Sequence, residues 1–386
     1  MRMRRGIATF TLDYGRCPRW LFERMVKLGR EMSQVIIAEY GPDEFIRRLG
    51  DPVWFQSLGT VLAFDWNASG LTTTLTAALK EAIRGEERDL GIAVCGGKGK
   101  TSRKTPDQIE SWARDFRLPQ AHTANLVYNS RMSAKVDSSL VQDGYQIYHH
   151  TFFFSRSGAW TVVQQGMNTA NQTARRYHWH SANIQDLVCE PHSGIASQMK
   201  QSHMLNLTAK TSENTRKVST ALVNHGFRSL SHDIALISKY SSNLNTTLRV
   251  KSGDDYVTQL SLYDEHFTSH PVVGENFFKS RYLQKMLYTI CEIKPKTYEN
   301  LVAMKGVGPK TVRALALVSE IIYGAKPSYE DPARYSFAHG GKDAIPFPVD
   351  RETYDKTIRI MAQLESKTRL AASEKNTIYK KLLPKP

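Results

Sequence analysis

The stretch from Leu301 to Tyr323, LVAMKGVGPKTVRALALVSEIIY, leaves the chain the least conformational freedom. It predicts a short helix, a tight Gly306-Val307-Gly308 turn and a longer second helix. Pro309 falls at the first helical position, where a missing N–H costs nothing. Val312, Leu315, Ser319 and Ile322 share one helical stripe that Ala314, Val318 and Ile321 widen, so the second helix is expected to be largely buried. Two glycines let the backbone turn sharply and approach a ligand closely. Unpaired amides at the start of the second helix favour an anion, so Gly306, Gly308 and Thr311 are candidate phosphate-binding residues.

The rest of the composition agrees with a polyanionic partner. The 386 residues carry 52 Lys and Arg against 37 Asp and Glu, a formal charge of +15 at pH 7. Such a surplus favours nucleic acid; DNA is the expected partner, with RNA left open. No apolar run approaches the ~18 residues of a membrane span, so no membrane partner is expected. Cys17, Cys95, Cys189 and Cys291 are scattered without a CxxC pair, as in a reduced cytoplasmic protein.

Along the chain, the pattern predicts a strand at Gly6–Leu12, a helix over Arg19–Tyr40, and a short helix between Pro42 and Pro52. A strand at Val61–Phe64, a helix through Ile83 and a strand at Leu90–Val94 follow. Helices are expected at Pro106–Phe116 and Asn125–Asp137. The run Ser155-Arg156-Ser157-Gly158 predicts a hairpin between Tyr145–Phe154 and Ala159–Gln165. Beyond Ala182 the chain turns polar and helical, with helices at Thr220–Tyr240 and Asn276–Ile293 and a polar break over Asn243–Asp255. The fold class expected is an α/β domain with a mixed sheet over residues 1–205, followed by an all-α domain over 206–386.

Two other regions are candidates for chemistry. The loop Cys95-Gly96-Gly97-Lys98-Gly99-Lys100-Thr101-Ser102-Arg103-Lys104 suits a phosphate cradle, with Gly97, Lys98, Gly99, Lys100 and Arg103 as contacts. It misses the Walker A spacing, because Thr101 stands where the second glycine belongs. Polar residues then crowd around a strand pair: Lys135, Asp137, Asp143 and His149, with Gln164 and Gln165 on the next strand. Their layout is similar to that of metal-dependent nucleases, in which Asp137 and Asp143 would hold Mg or Mn. His178, His180, Cys189 and His192 fit no standard zinc spacing and are expected to be ordinary core and surface residues. Arg175 and Arg176, next to Tyr177 and Trp179, suit stacking and backbone contact with single strands. The basic tail from Lys356 to Pro386 could track a backbone or form a solvated helix face.

The Gly-Val-Gly-Pro-Lys-Thr turn between apolar helices resembles the helix-hairpin-helix motif, which grips a DNA phosphate without reading a base. Together with the Ile345-Pro346-Phe347-Pro348-Val349-Asp350 run, it resembles the helix-hairpin-helix DNA glycosylase and AP lyase superfamily. That resemblance implies Lys310 as a Schiff-base nucleophile on C1′, Asp350 as its assisting carboxylate, DNA repair as the role, and no cofactor. Over its whole length the chain resembles the prokaryotic domain of unknown function family 763. The carrying motifs are PRWLFERM, DPVWFQSLG, FDWNASGLTT, CGGKGKTSRKTP, NSRMSAKVDSSLVQDGYQIYHH, VVQQGMN and ARRYHWHS. Its N-terminal half resembles ParB-type phosphate-binding folds. Three expectations stand open: a glycosylase/lyase, a divalent-metal nuclease that uses the hairpin as its grip, and a non-enzymatic nucleic-acid-binding factor.

Overall fold

A computed structural model describes residues 10, 12, 17–62, 68–201, 203–241, 248–252, 255–260, 280–333, 359, 360, 363 and 367. Among the described residues four helices come first: α1 (Arg19–Tyr40), α2 (Pro42–Leu49), α3 (Pro52–Val61) and α4 (Ala68–Ala82). Helix α1 has the bounds that its apolar spacing predicts, and it buries Met25, Gly29, Met32, Ser33 and Ile36 as one stripe. Asp51 caps α3 by accepting from the amides of Val53 (2.8 Å) and Trp54 (3.2 Å). The single turn α5 (Glu87–Leu90) then leads into the sheet.

Among the described residues the central sheet has five strands in the order β1 (Ile92–Lys98), β3 (Gln146–Ser155), β4 (Trp160–Asn168), β5 (Thr173–His180), β6 (His192–Ser197). Every neighbouring pair is antiparallel. The expected mixed sheet is therefore corrected to an antiparallel one. The run from β1 to β3, through α6 (Thr105–Asp115), α7 (Gln120–Ser139) and β2 (Val141–Gln142), returns the chain in the opposite direction. The β3–β4 hairpin forms where Ser155–Gly158 predicts it, with Phe154 opposite Trp160.

Both faces of the sheet are covered, and the period of two along each strand assigns side chains to two cores. Ile92, Val94, Phe153 and Val163 pack with α1 to α4. Ala93, Cys95, Phe152, Phe154, Val162 and Trp179 face α6, α7 and the helices that follow. Those are α8 (Glu213–His225), α9 (Phe227–Ser241), α10 (Arg281–Ile293), α11 (Tyr298–Ala303) and α12 (Pro309–Ile321). Double coverage explains the near-continuous Phe152-Phe153-Phe154 run. Each of these rings is fully buried, worth about 1.5–3 kcal/mol apiece. The second core runs without a break from Ala93 to Ile321, so sheet and C-terminal helices share it.

Three local expectations are corrected. Val61 ends α3 and Leu62 follows it, rather than opening a strand, because both continue the helical stripe of Trp54, Phe55 and Leu58. Past Ala182 the chain is not simply helical. It adds β6 and then β7 (Leu205–Asn206), which pairs with β2. Strand β6 is the small-residue segment HSGIAS, whose weak apolar alternation hides a strand lying against β5. The expected polar break over Asn243–Asp255 contains strand β8 (Leu248–Ser252), which pairs with β9 (Asp255–Leu260). Most of the expected Gly6–Leu12 strand, residues 276–279 at the expected start of the α10 helix, and most of the basic tail lie outside the described residues.

Candidate nucleic-acid interface

The turn between α11 and α12 is built from residues with separate duties. Thr297 caps α11 by accepting from the Asn300 amide at 3.1 Å. Gly306 has φ of +90°, which favours glycine, and a Cβ there would lie 2.2 Å from the Met286 methyl, so that flexible side chain would have to move. Val307 is buried and plugs the turn into the core. Gly308 differs: its φ of −145° and ψ of −172° suit any residue, and none of the described residues lies within 4 Å of where a Cβ would stand. Its bare backbone leaves open space at the start of α12. No side chain among the described residues caps that helix. The Thr311 and Val312 amides bond the Gly308 carbonyl at 3.0 and 3.2 Å, whereas those of Gly308 and Lys310 find no acceptor among the described residues. Lys305 is exposed and Lys310 half-buried beside this opening, while the Thr311 side chain is buried beneath it.

Residues from the sheet domain hold the turn in place. Lys135 on α7 donates to the Met304 carbonyl, and Gln142 on β2 donates to the Pro309 carbonyl at 3.0 Å. Arg313 on α12 donates back to Gln142, and Tyr128 donates to Glu299 at 2.6 Å. Burial pulls the Lys135 amine below its ordinary 10.5. Lys135, which the sequence groups with nuclease carboxylates, therefore serves the hairpin.

The two acids of that group are separated and fully engaged. Asp137 is wholly buried. It accepts from Gln164 (2.5 Å), the Trp179 indole (3.1 Å) and His192 Nε2 (2.5 Å). Asp143 accepts from the Tyr145 amide (3.0 Å), Tyr177 (2.7 Å) and Arg175 (2.9 Å). Every carboxylate oxygen thus has a donor within the fold. His149 is buried between Thr76 (3.1 Å) and Thr151 (2.9 Å). Burial, with His150 and Lys98 adding to it, lowers its ring to about 3.

Arg175 and Arg176 are also fully buried, so neither offers the stacking surface expected of them. Strand β5 lies inside the sheet with both faces covered, and all eight of its residues are buried. Arg175 is held between Asp143 (2.9 Å) and Asp331 (2.6 Å). Arg176 meets Gln56 at 3.2 Å and the Phe55 ring at 4.6 Å, and burial lowers its value to about 9. The histidines disperse: His178 bonds the Leu49 carbonyl, His180 bonds Thr161 and His192 bonds Asp137. Among the described residues no group of three or more His, Cys, Asp or Glu is arranged to hold a metal. All four cysteines are free.

The basic loop keeps its exposed character but begins later than the sequence suggests. Cys95 to Lys98 still belong to β1, and Gly99–Lys104 form a 3₁₀ helix. Its root is pinned, since Lys80 donates to the Gly96 carbonyl and to Gln108, each at 3.0 Å. Its tip is free: Lys98, Lys100, Arg103 and Lys104 are exposed, with Lys98 lying 5.8 Å above the Tyr148 ring.

Two features escaped the sequence. His192 lines a cavity of about 390 Å³ with Thr208, Lys210 and Asp331, and its buried partner Asp137 sits 55 residues earlier. Tyr282 donates to the Gly306 carbonyl at 3.0 Å while its ring stays exposed. Sequence spacing carries no signal for either pairing. Asp350 lies outside the described residues. No helix among the described residues is long and apolar enough to cross a membrane.

No curated protein and no solved structure matches the chain. A family model does, over residues 6–349, and with nearly the whole length covered the chain belongs to the family described as "Protein of unknown function (DUF763)".

Proposed function

We propose that this protein is a DNA-binding, DNA-processing protein whose α11–α12 hairpin grips a backbone phosphate, as helix-hairpin-helix motifs do. The observation that carries this is Gly308. The fold makes no demand for glycine there, and the amides of Gly308 and Lys310 find no acceptor among the described residues, with exposed Lys305 three residues before Gly308 and half-buried Lys310 two after it. An anion at such a helix start gains both hydrogen bonds and the favourable end of the helix dipole. The exposed Lys98–Lys104 loop adds positive charge, in the manner of the phosphate cradle a ParB-like sheet domain would offer. Replacing Gly308 by Glu fills that space with a like charge for the phosphate while leaving the backbone unstrained. The variant is expected to fold normally and to lose affinity for all DNA sequences alike in fluorescence anisotropy. Wild-type binding should weaken with salt at a log–log slope near −0.9 per phosphate contacted. Unchanged binding by Gly308→Glu would remove the hairpin from the interface.

The reaction we assign to this grip is that of a glycosylase-like AP lyase. Lys310 stands half-buried at the second position of α12, beside the open amides, and its amine is the nucleophile we assign to an opened sugar. Its attack on C1′ expels water and forms a Schiff base, from which β-elimination breaks the strand. Borohydride should then trap a covalent protein–DNA adduct on abasic or damaged DNA, with or without EDTA. Lys310→Ala should abolish the adduct and keep most of the binding. Cleavage that needs Mg²⁺ or Mn²⁺ and forms no adduct would overturn this assignment in favour of a nuclease. Equal affinity for RNA would make the protein a general nucleic-acid binder.

A further inference from the structure

Helix α10 turns its apolar stripe, Leu283, Leu287, Ile290 and Cys291, into the core. Tyr282 lies off that stripe in the first turn, with 61 % of its surface exposed. An exposed tyrosine usually moves freely, but this one is fixed at both ends. Its backbone belongs to a helix that Ser280 caps through the Leu283 amide at 3.3 Å. Its hydroxyl donates to the carbonyl of Gly306, the residue that makes the hairpin turn. The Met286 methyl packs under Gly306 on the same side. Arg281 and Lys285, both exposed, stand next to Tyr282 and one turn beyond it, and exposed Lys305 adjoins Gly306.

An aromatic face held by its hydroxyl thus stands beside the backbone that would hold a phosphate, on a chain segment rich in exposed cations. Ordering the ring in advance removes the entropy that a contact would otherwise have to spend. A base inside an intact duplex has both faces covered by its neighbours, so it has none to offer. A base in a single strand, or one swung out of the helix, has a free face that stacks on any aromatic ring. We infer that Tyr282 is a base-stacking platform, and that the ligand of the hairpin is a nucleic acid with an unstacked base next to the gripped phosphate. This rests on the hairpin holding that phosphate.

The test uses the full chain and three DNA probes of equal length: a single strand, a perfect duplex, and a duplex with a short central bubble. Tyr282→Leu should weaken the single strand and the bubble about tenfold and leave the duplex unchanged. Tyr282→Phe keeps the ring and should stay within about threefold of wild type on all three. A 2-aminopurine in the bubble should be quenched by wild type and by Tyr282→Phe but not by Tyr282→Leu. Equal loss on every probe would reduce Tyr282 to a prop for the turn, and no loss would mean that it meets no base. Gly308→Glu separates the two ideas. If it loses all DNA while Tyr282→Leu does not discriminate among probes, the hairpin grip stands and only the stacking platform falls. If it binds every probe as wild type does, or if wild type binds none, the grip falls and the platform with it.

Discussion

His149 holds an imidazole in the sheet that stays neutral down to about pH 3, chiefly because burial penalises its charged form. In the unfolded chain the same ring takes up a proton below about 6.5. The unfolded state therefore binds more protons between those values, and the fold loses stability as pH falls through that window. One such histidine costs about 2 kcal/mol at pH 5 relative to neutral pH. Burial lowers His150 and His178 in the same direction. Urea unfolding at pH 7 and pH 5 should show the drop, and His149→Gln should make it smaller. An unchanged pH slope in that variant would mean that His149 is not the group responsible. Gly306 sets a different constraint. Gly306→Ala must place a Cβ at positive φ against the Met286 methyl, and should cost roughly 1–3 kcal/mol by chemical denaturation. Gly308→Ala, in extended backbone with open space, should cost little; equal losses at both would contradict the division of duties within the turn.

At the scale of elements, the hairpin depends on α7 as much as on its own helices. Lys135→Met keeps the length of the side chain but leaves the Met304 carbonyl without its donor. We expect a loss of about 1–3 kcal/mol. Amide exchange should rise most around residues 304–310, and DNA affinity should fall although Lys135 touches no phosphate. Uniform exchange changes across the chain would show that Lys135 supports the core rather than the turn. The hairpin was legible because its signals are local: Gly306 supplies positive φ, Pro309 starts a helix and the α12 stripe repeats at helical spacing. Strand β6 was not legible, because His192-Ser193-Gly194 has no alternation of its own and becomes a strand only by lying along β5.

At the scale of the molecule, Arg175 ties the sheet to the segment after α12 through its paired contacts with Asp143 and Asp331. The same segment is stitched along β7 by the Asn206 amide on the Ser328 carbonyl (2.8 Å) and the Met204 amide on the Tyr329 carbonyl (3.1 Å). Arg175→Met would leave two buried carboxylates without their cation, and should destabilise the protein by about 3–5 kcal/mol in thermal or urea unfolding. Adding Asp143→Asn and Asp331→Asn should recover part of that loss. If the triple variant is no better than the single one, lost packing and not unpaired charge is the cause. Local spacing alone determined the α1 helix, the β3–β4 hairpin, the glycine turn before α12 and the exposed basic loop, since each follows from backbone preference and side-chain period over a few residues. Tertiary structure decided the fate of the charged and polar residues. Lys135, Asp137, Asp143, Arg175 and Arg176 look in sequence like a surface for metal or nucleic acid. They are buried or half-buried because their partners, Met304, His192, Asp331 and Gln56 among them, arrive from distant parts of the chain. A charge can leave water only when such a partner meets it, and which partner does so depends on how the sheet and helices pack.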